Sequence, residues 1–121
     1  MTVHSQRQPN DTVSVDPSVL LTIARAAALN VKGVARLGYA SGTLDRLLGL
    51  GPSEDGVHLT IEEENITVDI FIVVDDWRNL RQTSQKVQEE ISRTMQQFVG
   101  MSVQAVNVHI EDVMFESDKN G

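Results

Sequence analysis

The sequence predicts an α+β domain, a small mixed, mainly antiparallel sheet with two helices packed on one face, in the order (β)-α-(β)-β-β-α-β. Three observations predict it. Residues 17–32 and 80–99 repeat apolar side chains at helical spacing. Residues 57–61 and 66–74 alternate at the strand period, with only a short polar turn between them. A third alternating stretch, 102–113, follows the second helix. Two helices on one sheet face is the economical way to bury both apolar stripes.

Taken in order, residues 1–11 are polar and aperiodic and read as an N-terminal tail. Thr12 to Val15 alternate and suggest a short strand. Asp16 and Pro17 then open a helix: the carboxylate can accept from unpaired amides, and proline lacks the N–H that would otherwise be unsatisfied there. Leu20, Ile23, Ala24, Ala27 and Val31 form its inner face, and Gly33 is the expected stop. Val34 to Leu37 read as a short strand. Five glycines at 38, 42, 49, 51 and 56, with Pro52, mark a long connection. Within it Leu44, Arg46 and Leu47 fall in one expected helical turn, and a loop of this length in a small domain is often functional.

Val57, Leu59 and Ile61 alternate with His58 and Thr60, and Glu62 to Asn65 turn the chain. Ile66, Val68, Ile70, Ile72 and Val74 share one face of the next strand. Its other face carries Thr67, Asp69, Phe71 and Val73, with Asp69 expected at a solvated end. Asp75, Asp76 and Asn79 suit the positive end of a second helix, whose stripe is Leu80, Val87, Ile91, Met95 and Phe98. Thr83 and Ser84 interrupt that stripe, which suggests an end near the domain edge. Gly100 supplies the stop. In the last strand Val106, Val108 and Ile110 share a face with Gln104, and Val103, Ala105, Asn107 and His109 the other. Residues 116–121 read as a C-terminal tail, leaving 12–115 as the single domain.

Composition narrows the function. Ten Lys and Arg against 17 Asp and Glu give a net charge of −7. Residues 61–121 hold twelve of the acidic residues and only five of the basic ones. Nucleic acid or anionic lipid requires a basic footprint, so both are disfavoured as direct partners. No apolar run is long enough to cross a bilayer and no secretory leader is legible, so direct membrane insertion is not expected and a cytoplasmic location is. The absence of cysteine removes disulfides, thiolate metal sites and cysteine nucleophiles.

The search for chemistry is equally sparse. His4, His58 and His109 have no ligand partner at metal-binding spacing, and His58 and His109 are expected to face solvent. No nucleophile elbow, phosphate loop or dinucleotide fingerprint is present. No cofactor, metal site or catalytic residue is therefore expected, and the chain reads as non-enzymatic. The half-polar sheet face offers a contact surface. Trp77 and Arg78 in the turn before the second helix, Phe71 on the sheet, and Leu44 and Leu47 in the long loop are the candidate partner-binding residues. The alternative reading is a small-molecule or nucleic-acid module using residues 38–56, with Lys32, Arg36 and Arg46 as an anion-binding group.

The pattern resembles a known family. Ile23-Ala24, Ala26-Ala27 and the step Val31-Lys32-Gly33-Val34 resemble the opening of the alkaline shock protein family, also called the general-stress or envelope stress response family of bacteria. Val68 to Val74 is similar to its central strand, and Gly100 to Val113 to its closing Gly-x-x-Val-x-x-Val-Asn-Val strand. The resemblance spans residues 12–114. Many members carry Tyr-Gly and then Ile-Pro where this chain has Asp75 to Leu80, which puts the contacts of that turn in question. The resemblance implies a non-catalytic cytoplasmic protein of the envelope stress response. It implies work through protein partners, one of them membrane-anchored in some members, and self-association in others.

Overall fold

The computed structural model describes residues 2–4, 12–38, 53–54, 56–63 and 65–114. Two short strands, β1 (Thr2–His4) and β2 (Thr12–Ser14), pair antiparallel as a ribbon of their own, with Val3 opposite Val13. Residues 2–4, within the stretch that reads as a tail, are therefore a strand. Polar composition hid a pairing that needs only three residues on each side.

Helix α1 (Pro17–Leu29) starts as its sequence dictates: Asp16 Oδ1 accepts from the Ser18 amide at 2.9 Å, and proline occupies the first turn. It ends earlier than Gly33. Asn30 is the C-cap, its amide donating to the Ala26 carbonyl at 3.1 Å. Gly33 instead takes a left-handed φ of +105° in the turn that follows. Leu20, Leu21, Ala24, Ala27 and Ala28 are buried, so Ala28 belongs to the core side and Ile23 only flanks it.

The main sheet contains β3 (Val34–Leu37), β4 (Ser53–Glu54), β5 (Val57–Glu62), β6 (Asn65–Val74) and β7 (Val103–Val113). Strand β6 is its axis. On one edge β5 pairs antiparallel with residues 65–70 and β3 antiparallel with residues 72–74. The handover falls at Phe71, whose amide donates to the Gly56 carbonyl at 2.8 Å and whose carbonyl accepts from the Gly38 amide at 2.7 Å. On the other edge β7 runs parallel to β6 over nearly its full length. A parallel neighbour needs a long crossover, and α2 (Leu80–Val99) supplies it after a 3₁₀ turn at Trp77–Asn79. The sheet is therefore mixed with mainly antiparallel pairing, and the α+β architecture stands as the sequence predicts.

Both helices contribute to one core. Leu20 of α1, Val87, Ile91 and Met95 of α2, Leu59 of β5 and the inner face of β6 are fully buried together. Burial of each such side chain contributes roughly 1.5–3 kcal/mol. Two departures from the expected α2 stripe follow. Phe98 is exposed, and Thr83 is buried where the polar interruption suggested a domain edge. The helix stops at Gly100 in the left-handed region, φ +72°.

Strand β7 departs from simple alternation at both ends. The register with β6 shifts between Ile66 and Thr67, and again between Ile72 and Val73. Each bulge adds a residue and reverses the facing beyond it. Val103 and Val113 consequently pack against the core with Val106 and Val108, whereas strict alternation put Val103 on the opposite face.

At Gly56 the handover between β5 and β3 leaves no room for a side chain. Its φ is +79°, and an added Cβ would lie 2.8 Å from both the Gly38 carbonyl oxygen and Leu37 Cβ. Gly56→Ala should therefore lower unfolding stability by about 1–3 kcal/mol, read as a lower urea midpoint; an unchanged midpoint would contradict this crowding. A second outcome concerns pH. The Ser18 amide holds the Asp16 carboxyl below its ordinary value of 3.8. A depressed folded-state pKa adds stability that is present above the unfolded value and lost as pH falls through the folded one. The gap in urea midpoint between the wild-type chain and Asp16→Ala should be open at pH 6 and close progressively below pH 3.8.

Candidate functional site

Strand β6 ends at Val74 between two turns, the one that links α1 to β3 and the one that leads to α2. The Asp75 amide donates to the Gly33 carbonyl at 2.9 Å and ties them together. Between them opens a cleft of about 290 Å³, lined by Lys32, Gly33, Asp75, Gln82, Thr83 and Lys86, with Asp76 and Asn79 at the approach to α2. Lys32 and Lys86 also line an adjoining groove of about 240 Å³ that runs along the end of α1.

Thr83 forms part of the cleft floor. It is only 4% exposed, and an added Cβ at Gly33 would lie 2.7 Å from its Oγ1. A glycine is needed there twice over, for its φ of +105° and for the close approach of the threonine hydroxyl. The interruption that Thr83 makes in the apolar stripe was the signal for this site. Lys86 gave none, because a lysine on an amphipathic helix is ordinary.

The turn beside the cleft is rigidly built. Asp76 Oδ1 accepts from the Arg78 backbone amide at 3.0 Å and from Arg78 Nε at 3.0 Å, while Oδ2 accepts from Nη2 at 3.2 Å. The Asp76 side chain thus caps the 3₁₀ turn and grips the guanidinium with two oxygens. That hydrogen bond, with the carboxylate charge, raises the Arg78 pKa above its ordinary value. Between the paired residues Trp77 is 61% exposed.

The other predicted residues are placed elsewhere. Arg36 lies exposed on β3, its Nη1 donating to the Leu37 carbonyl at 3.2 Å, and does not line the cleft with Lys32. Leu44, Arg46 and Leu47 lie outside the described residues. Phe71 is buried rather than presented on an open sheet face. Its ring stacks on His109, with centroids 4.6 Å apart and planes 15° from parallel.

Phe71 packs on the sheet face away from the helices beside Asp69 and His58, which are buried, and His109, which is partly exposed. His109 Nε2 lies 2.9 Å from Asp69 Oδ1, its N–H donating to a carboxylate that is almost fully buried. His58 stands opposite Asp69 across the β5–β6 pair, is 1% exposed, and has no hydrogen bond at either ring nitrogen among the described residues. The expectations of a solvated Asp69 and a solvent-facing His58 are therefore corrected. On this face the stacked Phe71 and His109 rings stand beside Asp69, which is left 3% exposed. Among the described residues no three His, Asp or Glu side chains converge closely enough to hold a metal ion.

Comparison with known proteins places the whole domain. Residues 5–115 match the model of the alkaline shock protein 23 family, whose description is a cell envelope-related function. YqhY of Bacillus subtilis is 30% identical over 107 residues, which cover 87% of this chain and 78% of YqhY. YloU of the same organism is 24% identical over 104 residues, 84% of this chain and 87% of YloU. Among solved structures a MamM CTD variant is similar with a TM-score of 0.50, covering 80% of this chain and 98% of its own. At 14% identity that likeness concerns the fold alone.

The Asp69–His109 bond is close, with Asp69 buried and His109 partly exposed, so the two side chains should be energetically coupled. A double-mutant cycle of Asp69→Ala and His109→Ala, read by urea unfolding, should return a coupling of about 0.5–3 kcal/mol. Strict additivity would show that the contact contributes nothing beyond packing.

Proposed function

This chain belongs to the alkaline shock protein 23 family, and we propose that it works without catalysis, by binding another protein at the cell envelope. The observation that carries this reading is Trp77. An indole exposed by 61%, on a turn already fixed by the Asp76 cap and the Arg78 pair, offers a large contact area at little further cost in conformational entropy. Buried tryptophan and arginine anchors dominate the energy of protein interfaces. The family's envelope-related description supports the location of the partner.

Among the described residues no helix is long and apolar enough to cross a membrane. In this reading the chain acts from the cytoplasmic side and reaches the envelope through a membrane-anchored partner, in the response to envelope stress. Self-association remains part of the same reading, because a second copy can occupy the same surface.

The test is a photo-crosslinking amino acid placed at position 77 of the chain expressed in cells, with position 63 as control. Glu63 lies in the turn before β6 and Trp77 follows the strand's far end, so the two positions report on opposite ends of the molecule. A discrete protein adduct is expected from position 77 and not from 63. Trp77→Ala should weaken binding of the identified partner at least about tenfold, in line with a loss of 1.4 kcal/mol or more, with helix content by circular dichroism unchanged. No adduct at 77, or an unchanged affinity, would overturn the assignment.

A further inference from the structure

We propose that the cleft beside Trp77 captures the terminal carboxylate of the partner's polypeptide chain. The choice of a peptide as occupant rests on the interaction reading above; the carboxylate rests on the cleft itself. Lys32 and Lys86 both line it, and neither makes an ion pair among the described residues. The Thr83 hydroxyl, on a side chain 96% buried, has no hydrogen-bond partner among the described residues and faces the same space. Its oxygen is not sealed from solvent, so a ligand atom in the cleft can engage it.

The electrostatics point the same way. Asp76 is neutralised by its two-oxygen grip on Arg78, so the lining balances two ammonium groups against Asp75. Glu89 lines the adjoining groove with the same lysines, so the two ammonium groups are close together but not in net excess. The N-terminus of the 20-residue α2 adds its positive end, since Asn79 makes no side-chain cap bond and the first turn holds no acidic residue. Asp75 and Gln82 supply acceptors for the last peptide N–H, and Asp75 at the same time disfavours a phosphate dianion. A volume of about 290 Å³ falls just below the roughly 300–1,000 Å³ of drug-sized pockets, which suits a chain end. Capture of a terminal carboxylate by convergent donors is a known mode of peptide recognition.

The experiment follows the backbone amide resonances of the full chain, titrated with N-acetylglycylglycine, with its C-terminal amide, and with inorganic phosphate at matched ionic strength. The acid is expected to shift Gly33, Asp75 and residues 82–86, and the amide to leave them in place. Lys86→Gln, at an exposed position that the fold does not need, should weaken acid binding by about fivefold or more. Thr83→Val should weaken it too, and Thr83→Ser should restore it. Equal shifts from acid and amide, acid binding indifferent to Lys86→Gln and Thr83→Val, or phosphate binding as tightly as the acid would each overturn the proposal. These probes do not reach Trp77, so their failure leaves a crosslink at position 77 standing, and the two readings are judged separately.

Discussion

The structure depends on the way a single ten-residue strand, β6, is shared. Its Phe71 backbone bonds to Gly56 on one side of a break and to Gly38 on the other, so β5 and β3 meet end to end along one edge. Along the opposite edge β7 pairs in parallel over almost the whole strand. Buried backbone amides and carbonyls must find partners, and two short strands satisfy that demand along one edge of β6 only because glycine occupies the junction. The crowding at Gly56 is the steric consequence, and it fixes where α1, β3 and β5 lie relative to one another.

That arrangement divides the sheet into two chemically different faces. The helix side is an apolar core drawn from both helices and β5 to β7. The other side holds Asp69, His109, Phe71 and His58 together. Enclosed polar side chains strengthen the bonds they make and penalise those they fail to make. Asp69 and His109 bond to one another, whereas among the described residues His58 has no partner at either ring nitrogen. This polar set favours one pairing of the strands, because a shift of register by one residue would carry Asp69 into the apolar core.

The candidate site follows from the same strand. Where β6 stops, the turns after α1 and before α2 are joined by the Asp75–Gly33 hydrogen bond. The junction brings Lys32, Thr83 and Lys86 around one cleft, with Trp77 held beside it on a capped turn. A rigid aromatic residue next to a concave polar site is suited to recognition: the first supplies contact area and the second supplies selectivity.

Local chemistry was legible in the residues. Asp16 and Pro17 open α1, Gly100 ends α2 in the conformation that glycine tolerates, and Glu62 to Asn65 reverse the chain between two alternating strands. Each is decided by one to four neighbouring residues, as are the class of fold and the family resemblance built from them. Trp77 and Lys32 also stood out as candidates, on residue type alone. Tertiary structure decided the rest, because it turns on residues distant in sequence. The two bulges that bring Val103 and Val113 into the core depend on what β6 presents beside them. The burial of Asp69 depends on His109, brought beside it from another strand, and the short ribbon of β1 and β2 on a partner eight or more residues away. Lys32 and Lys86, more than fifty residues apart, share a cleft only because β6 carries two turns to the same end of the sheet. Sequence periodicity gives the face a side chain takes on its own element, and what stands opposite that face is settled only when the elements pack.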